Sequence, residues 1–425
     1  MLSAQENERL TRVGQGTPMG ELMRRYWHPV AAGSELSEHP TKAVTILGES
    51  LVLYKDRSGR LGLIDDVCPH RRVNMVYGIP ENDGLRCPYH GWKFNGSGKC
   101  IEMPAEPADS TFKDKVTVKA YPVEELGGLI FAYLGPKPVP LLPRWEIFVR
   151  PDAFRDIGVG MVPCNWLQIM ENSLDPVHVE WLHQHFHNYV LERLGRSEEQ
   201  GDRQHHEKIG FSVFEYGIIK RRVLEGETED NEDWQVGHPV VFPVTLLSGS
   251  TRRSTFQIRV PIDDTHTLHW WYSCYAARPG VEATRQEGIP FYQVPVPGAG
   301  ENGQPEWSVL DNNSGQDIAM WYTQGPIADR SLEKLGESDQ GIIVYRKLLQ
   351  QELEKVARGE DPMNTFRDPS KNICIELSLE EAKLARGRFH KRPIRKGGTT
   401  KYSPFLDQEA SRSEKASLVP SETGA

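Results

Sequence analysis

The chain has 425 residues, enough for two or three domains and at least one sizeable core. With 50 Lys and Arg against 59 Asp and Glu, the net charge of −9 is mild and spread along the chain, which argues against a general nucleic-acid binder. A hydrophobic fraction of 38% is too high for a disordered chain, six Cys are too few for a disulfide framework, and no apolar run reaches the roughly 18 residues of a membrane span.

The opening MLSAQENERL lacks the basic-then-apolar layout of a secretory signal, so a soluble cytoplasmic protein is expected, with no membrane and no nucleic acid among its partners. Residues 1–40 read as a helical segment. Thr17-Pro18 offers an N-cap followed by Pro at the first helical position, and Leu22, Met23, Tyr26 and Trp27 recur at helical spacing over Gly20 to Trp27. Residues 41–140 read as a small β domain. Val44 and Ile46, then Leu51 and Leu53, alternate, and the turn at Asp56-Arg57-Ser58-Gly59 leads into a strand from Arg60 to Ile64. The Pro-rich stretch from Gly135 to Pro143 reads as a stiff linker.

Residues 141–370 read as a mixed second domain. Asn165 to His187 is predicted as a helix, interrupted only at Pro176. Strands follow over Phe211 to Val223, Val240 to Leu247, Ser254 to Pro261 and Thr265 to Ala276, with a turn at Asp263-Asp264. A second helix is predicted from Ser331 to Arg358. Residues 371–425 hold a further predicted helix, Leu377 to Arg388, and a basic, then Ser-rich tail from about Arg392, expected to be disordered or to wrap a partner. The fold class is α+β.

Two constellations carry chemistry. The first is Cys68-Pro69-His70 and, separated from it by sixteen residues, Cys87-Pro88-Tyr89-His90. Two Cys and two His, paired on two turns, form a metal site. Zinc accepts such a set, but the spacing is unlike that of a ββα finger. Cys100, Cys164, Cys274 and Cys374 are isolated and read as small hydrophobes. The pattern resembles the Rieske [2Fe–2S] centre, in which two Cys hold one iron and two His the other. By that resemblance Cys68 and Cys87 hold the inner iron, His70 and His90 the outer one, and Trp92 packs beneath the cluster.

The second constellation is Asn172, Asp175, His178 and His183. The first three recur every third residue and share a helix face. His183 lies five residues beyond His178, about 140° round an ideal helix, so the helix must bend or end for both to meet one ion. Two neutral His and one carboxylate form the facial triad of non-haem Fe(II) oxygenases. His185 and His187 read as surface or supporting residues, and His205-His206 as solvated.

Taken together, the two motifs resemble the oxygenase α-subunits of Rieske non-haem iron oxygenases, over roughly residues 15 to 350. The phthalate-dioxygenase-like branch, which includes aromatic O-demethylases, is the most similar. The resemblance implies a small antiparallel β Rieske domain beside a helix-grip (START-like) catalytic domain built on an antiparallel sheet. It implies a [2Fe–2S] cluster and a mononuclear Fe(II) held by His178, His183 and a later carboxylate. For the carboxylate, Gln316-Asp317 fits the family pair, with Asp329 and Asp339 as alternatives. Asp175 then bridges His90 of one subunit to His178 of the next, and Asn172 lies near the iron without ligating it.

The chain has no G-x-G-x-x-G after a strand, so a separate NAD(P)H-dependent reductase is implied, with dioxygen as co-substrate. A trimer or hexamer is implied by the family. The expected reaction is hydroxylation of an aromatic acid; the alternative is O-demethylation of a methoxylated one, releasing formaldehyde. A Rieske electron carrier would leave some 300 residues without a purpose. Arg221, Arg222, Arg252 and Arg253 are candidates to grip a substrate carboxylate.

Overall fold

The computed structural model describes residues 2–151, 153–249, 253–276, 286, 288–298, 303–378 and 401–404; of Arg253 and Ala276 it describes the backbone alone. Near the N-terminus, Thr17 accepts from the Gly20 amide at 3.1 Å and Pro18 takes the first helical position, as the sequence predicts. This helix stops at Met23, short of the predicted Trp27. His28-Pro29 cannot continue a helix. Trp27–Ala32 is instead a fully buried strand, antiparallel to Leu129–Tyr133.

Short strands then build two four-stranded sheets. Thr41–Ile46, Glu49–Lys55, Leu61–Asp65 and Ala120–Tyr121 form one; Ile79–Glu81, Gly84–Arg86, Lys93–Phe94 and Cys100–Glu102 form the other. Val52, Tyr54, Ile64, Leu85 and Phe94 fill the space between them, with Cys68 and Cys87 in the same buried cluster.

The larger half is an eight-stranded sheet. Its spatial order is His206–Phe214, Gly217–Leu224, His238–Val241, Thr245–Gly249, Arg253–Pro261, Thr267–Ala276, Ala153–Val162 and Phe291–Gln293. All neighbours are antiparallel except the last pair. The predicted stretch from Phe211 to Val223 is therefore a hairpin, turning at Glu215-Tyr216, and that from Val240 to Leu247 breaks around Pro243, which has no amide to donate.

A long helix, Gln340–Ala357, lies across this sheet. It starts nine residues later than predicted, because Leu332 is 75% exposed and Gly336 interrupts the apolar pattern. Tyr345, Leu348, Leu349 and Leu353 share a core with Ile218, Val240 and Phe242 of the sheet. Gly341 permits the close approach: a Cβ there would stand 2.3 Å from the Leu174 carbonyl and 2.4 Å from the Phe211 ring.

That core also reaches the strand Leu129–Tyr133, where Phe131 meets Phe148 edge-on at 5.5 Å and Phe148 meets Tyr272 at 4.9 Å. The Pro-rich stretch is pinned: Trp27 Nε1 donates to the Pro140 carbonyl at 3.0 Å and the Leu141 amide to Phe366 at 2.8 Å. The predicted helix from Leu377 to Arg388 lies outside the described residues beyond Ser378, as does the tail from Arg392 apart from residues 401–404. Of those four, Ser403 is buried and Tyr402 half-buried: the Ser403 hydroxyl donates to buried Asp156 at 2.6 Å, and Asn312 Nδ2 to the Tyr402 oxygen at 3.3 Å. Among the described residues no helix is long and apolar enough to cross a membrane.

Candidate metal centres

The Cys-His pairs occupy two loops built on one plan. Val67 bridges Asn74 at the base of the first, and Arg86 pairs with Lys93 at the base of the second. In each, the Cys amide donates to the carbonyl five residues on, Cys68 to Val73 at 3.0 Å and Cys87 to Trp92 at 2.8 Å. The amide four residues on donates back to the Cys carbonyl, from Arg72 at 3.0 Å and Gly91 at 3.1 Å. That fourth residue is left-handed in both loops, with φ of 61° at Arg72 and 76° at Gly91. Gly adopts it freely; Arg72 must be held there by the closed turn.

Both thiols are buried and free, while His70 is exposed and His90 half-buried. Burial pushes the Cys68 thiol up to about 11, and Cys87 lies within hydrogen-bond reach of it. The two imidazoles meet edge to face at 4.4 Å, and Trp92 stacks flat on His70 at 4.5 Å. Trp92 thus backs an imidazole and shares a buried cluster with both thiols. Among the described residues, the group of His, Cys or carboxylate donors gathered within 4.8 Å of one another does not include this quartet. Four donors spread wider than one ion gathers, thiols inside and imidazoles outside, fit a two-iron cluster and not a zinc ion.

The gathered group is His178, His183 and Asp317. The predicted single helix from Asn165 to His187 is broken. The helix Trp166–Ser173, capped by the Asn165 side chain on the Leu167 amide at 3.1 Å, ends before Leu174. Asp175 restarts the chain, its Oδ1 accepting from the amides of Val177 at 2.9 Å and His178 at 3.3 Å. Trp181–Phe186 is then a π-helical turn. Its i→i+5 bonding widens the turn and returns His183 to the side of His178, with ring centres 5.2 Å apart. This is the bend that the two-His spacing required.

Asp317 comes from the helix Asn313–Tyr322, whose cap Asn312 accepts from the Gly315 amide at 3.0 Å. Its Oδ1 lies 3.2 Å from His183 Nε2 and 3.7 Å from His178 Nε2, and it is buried with no hydrogen bond. Each imidazole is locked through its other nitrogen. His183 Nδ1 meets Gln316 Oε1 at 2.9 Å, and His178 Nδ1 meets the Asp175 carbonyl at 2.5 Å. Gln316 cannot flip, because its amide group donates to the Leu310 carbonyl at 2.8 Å and to His187 Nδ1 at 2.9 Å. Both Nδ1 atoms thus carry protons, and both Nε2 lone pairs face the orphaned carboxylate oxygen, the donor set of a divalent ion.

The charges agree. Burial holds His178 down to about 4 despite Asp317. At His183, burial pulls down but Asp317 outweighs it, so the group is raised. At Asp317, burial pushes up, and His183, His178 and Arg259 together hold the carboxyl below its usual range.

The other candidates lie elsewhere. Asp329 caps Ser331 in an exposed turn, and Asp339 caps the Gly336 amide at 2.7 Å. Asn172 and Asp175 line an open cavity of about 590 Å³ with His178, Trp181, Met320 and Arg346. His187 is buried behind Gln316, and His185 stacks on Trp181. The reading of His205-His206 as solvated is corrected for His206, which is buried against Glu180, its amide donating at 3.0 Å. Of the four arginines, Arg221 bonds exposed Ser212 at 2.6 Å and Arg222 is committed to Asp233 at 2.9 Å. Arg252 lies outside the described residues, and of Arg253 only the backbone is described, at a strand end. The cations that act on the triad are ones the sequence reading passed over: Lys220 on the imidazoles and Arg259 on Asp317.

Residues 26–122 match the Rieske [2Fe-2S] domain and residues 304–375 the LigXa C-terminal domain like family. The chain is 42% identical over 412 residues to the 5,5'-dehydrodivanillate O-demethylase oxygenase subunit of Sphingobium sp. (strain NBRC 103272 / SYK-6), covering 96% of this chain and 94% of that one. It is 35% identical over 404 residues to the phthalate 4,5-dioxygenase oxygenase subunit of Pseudomonas putida, covering 86% and 89%. Among solved structures, Pseudomonas putida CBB5 NdmA shares the fold, with a TM-score of 0.58 at 20% identity over 80% of this chain and 93% of that one.

Proposed function

Since the chain belongs to the Rieske non-haem iron oxygenases, as the oxygenase subunit of a multicomponent system, we propose that it removes the O-methyl group of a methoxylated aromatic acid. The observation that carries the choice of reaction is the 42% identity, along nearly the full length of both chains, to an O-demethylase of an aromatic acid.

Cys68, Cys87, His70 and His90 hold the [2Fe–2S] cluster, and His178, His183 and Asp317 the mononuclear iron. The unpartnered Asp317 oxygen facing two imidazole nitrogens supports the second assignment. When bound, the cluster supplies electrons one at a time and the ferrous ion activates dioxygen. One oxygen atom enters a methyl C–H bond. The resulting hemiacetal splits into a phenol and formaldehyde, and the other atom leaves as water with two electrons and two protons.

Gln316 and the Asp175 carbonyl keep the two imidazoles in the metal-binding tautomer. The Asp175 carboxylate, 28% exposed and 3.7 Å from His178 Nδ1, links the iron site to the surface. We assign it the bridge to His90 of a neighbouring copy in a trimer or stack of trimers. The open cavity beside it, Trp181 at 61% exposure and Tyr89 at 55% beside His90 support this arrangement. Electrons enter from a separate NAD(P)H-dependent reductase.

Hydroxylation of the ring is the second reading, favoured by the 35% identity to a phthalate dioxygenase subunit. The two separate in one assay. The protein is supplied with NADH and a surrogate reductase, and paired aromatic acids with and without a methoxy group are compared. Formaldehyde near one per dioxygen, with the methoxy member alone, is expected. Oxygen uptake giving a dihydrodiol or a new ring hydroxyl, without formaldehyde, would replace demethylation by hydroxylation.

A further inference from the structure

Two of the three groups gathered at the iron triad depend on one short loop, residues 308–312. The buried Leu310 offers its carbonyl to Gln316 Nε2 at 2.8 Å, and Gln316 in turn holds His183 Nδ1 at 2.9 Å. Asn312, fully buried, caps the helix Asn313–Tyr322 that carries Asp317. The loop is pressed against the first turn of that helix: a Cβ on Gly315 would stand 1.9 Å from the Val309 carbonyl oxygen. Close-packed contacts of this kind transmit strain, so a shift of the loop reaches His183 through Gln316 and Asp317 through the cap.

The loop is gripped from outside by a piece of the C-terminal tail. Lys401 Nζ donates to the Ser308 carbonyl at 3.1 Å and pairs with one oxygen of Asp311 at 2.5 Å, while Arg196 pairs with the other at 2.7 Å. Tyr402 accepts from Asn312 Nδ2 at 3.3 Å and packs in one cluster with Ile318 and Trp321 of the Asp317 helix. Ser403, 4% exposed, donates to Asp156 Oδ2 at 2.6 Å. Asp156 is itself fully buried in the strand Ala153–Val162, where Tyr275 also donates to it at 2.9 Å. Three consecutive side chains therefore take three different partners: the loop, the helix and the large sheet. A buried hydroxyl paired with a buried carboxylate marks a built contact, since such groups are costly to leave without partners.

We propose that residues 401–403 are a strap that positions the mononuclear iron site. By fixing the 308–312 loop against the Asp317 helix and the sheet, they hold Asp317 and, through Gln316, His183 where both meet one ion. They are positioning residues, and none belongs to the triad itself. The proposal rests on the assignment of the iron to His178, His183 and Asp317. It gives part of the basic tail a task on its own chain, where the sequence suggests disorder or a partner.

The test compares the full chain with one ending at Thr400, both loaded with iron anaerobically. Affinity for the mononuclear iron is read by chelator competition, beside iron and sulfide analysis, the visible spectrum of the cluster and Tm. The shortened chain should bind that iron on the order of tenfold more weakly, the low end of what losing a group that orients a metal ligand costs. Its two cluster irons, two sulfides and cluster spectrum should stay unchanged. Lys401→Met combined with Ser403→Ala in the full-length chain should weaken the same iron, and Lys401→Arg should keep wild-type affinity. If the shortened chain fails to fold, the double variant decides by the same readout. A lowered Tm with unchanged affinity for the mononuclear iron would reduce the segment to a stability element and overturn the proposal. Loss of cluster iron along with the third would show general loosening and overturn it as well. A wild-type protein without a third iron would sink the triad assignment, and the strap with it.

Discussion

Gln316 decides which nitrogen of His183 faces the triad, and it does so because its own orientation is fixed by Leu310 and His187. Gln316→Leu should weaken iron binding by about 10- to 100-fold, read by chelator competition, with the visible spectrum of the cluster unchanged. Asp175 makes a different prediction, since its carboxylate sits behind His178 and outside the triad. Asp175→Asn should keep all three irons and slow substrate-dependent oxygen uptake by about 10- to 100-fold. Loss of the mononuclear iron in that variant would instead mark Asp175 as a ligand. At this scale the sequence was most readable where ligand chemistry restricts residue type, and the structure brings together the His178, His183 and Asp317 that spacing and family pattern pair. Arg259 and His269 were not readable. They alternate with Phe256, Ile258, Val260, Trp270 and Tyr272, a pattern that ordinarily marks a water-facing side. Here that side packs on the helix that carries Asp317, where His269 stacks on Trp321, and only the tertiary fold reveals it.

At the scale of elements, the π-helical turn Trp181–Phe186 makes an i, i+5 pair of histidines converge. Deleting Gln184 should restore ordinary α-helical bonding and carry His183 off the triad. Such a variant is expected to keep the cluster and lose the third iron; retention of that iron would show that the π turn is not what positions His183. Periodicity cannot disclose one wide turn, because the residues on either side remain good helix formers. A second element-scale device ties three helical segments together. Glu171 is buried between Arg330, at 2.7 Å, and Arg346, at 2.7 Å, and Arg330 also reaches Asn7 at 3.0 Å. Burial pushes the Glu171 carboxyl up, but the two arginines outweigh it and hold it below its ordinary value of 4.5. Its contribution to stability is then complete above pH 4.5 and fades as the pH falls through the lowered value. Glu171→Gln should cost about 3 kcal/mol at neutral pH, and the gap in Tm from wild type should narrow in acid. A gap independent of pH would mean that the pairing is not ionic.

For the molecule as a whole, the class of fold was legible because short alternating strands, Gly and Pro turns and two long apolar periods each carry local signals. The boundaries were less so. His28-Pro29 ended a helix that the apolar spacing continued, and Gly336 delayed another by nine residues. The shared packing of Phe131, Phe148 and Tyr272 also escaped the sequence, since no local pattern says which apolar faces will meet across a Pro-rich stretch. Division of labour between two centres is what this arrangement offers: buried thiols with outward imidazoles on one side, and a carboxylate with two inward imidazoles on the other. Iron and sulfide analysis of purified protein, wild type beside Asp317→Ala, tests that division directly. Three irons and two sulfides per chain in the wild type, falling to two and two in the variant with the cluster spectrum intact, is the predicted result. Three irons retained without Asp317, or the cluster lost along with the third iron, would contradict it.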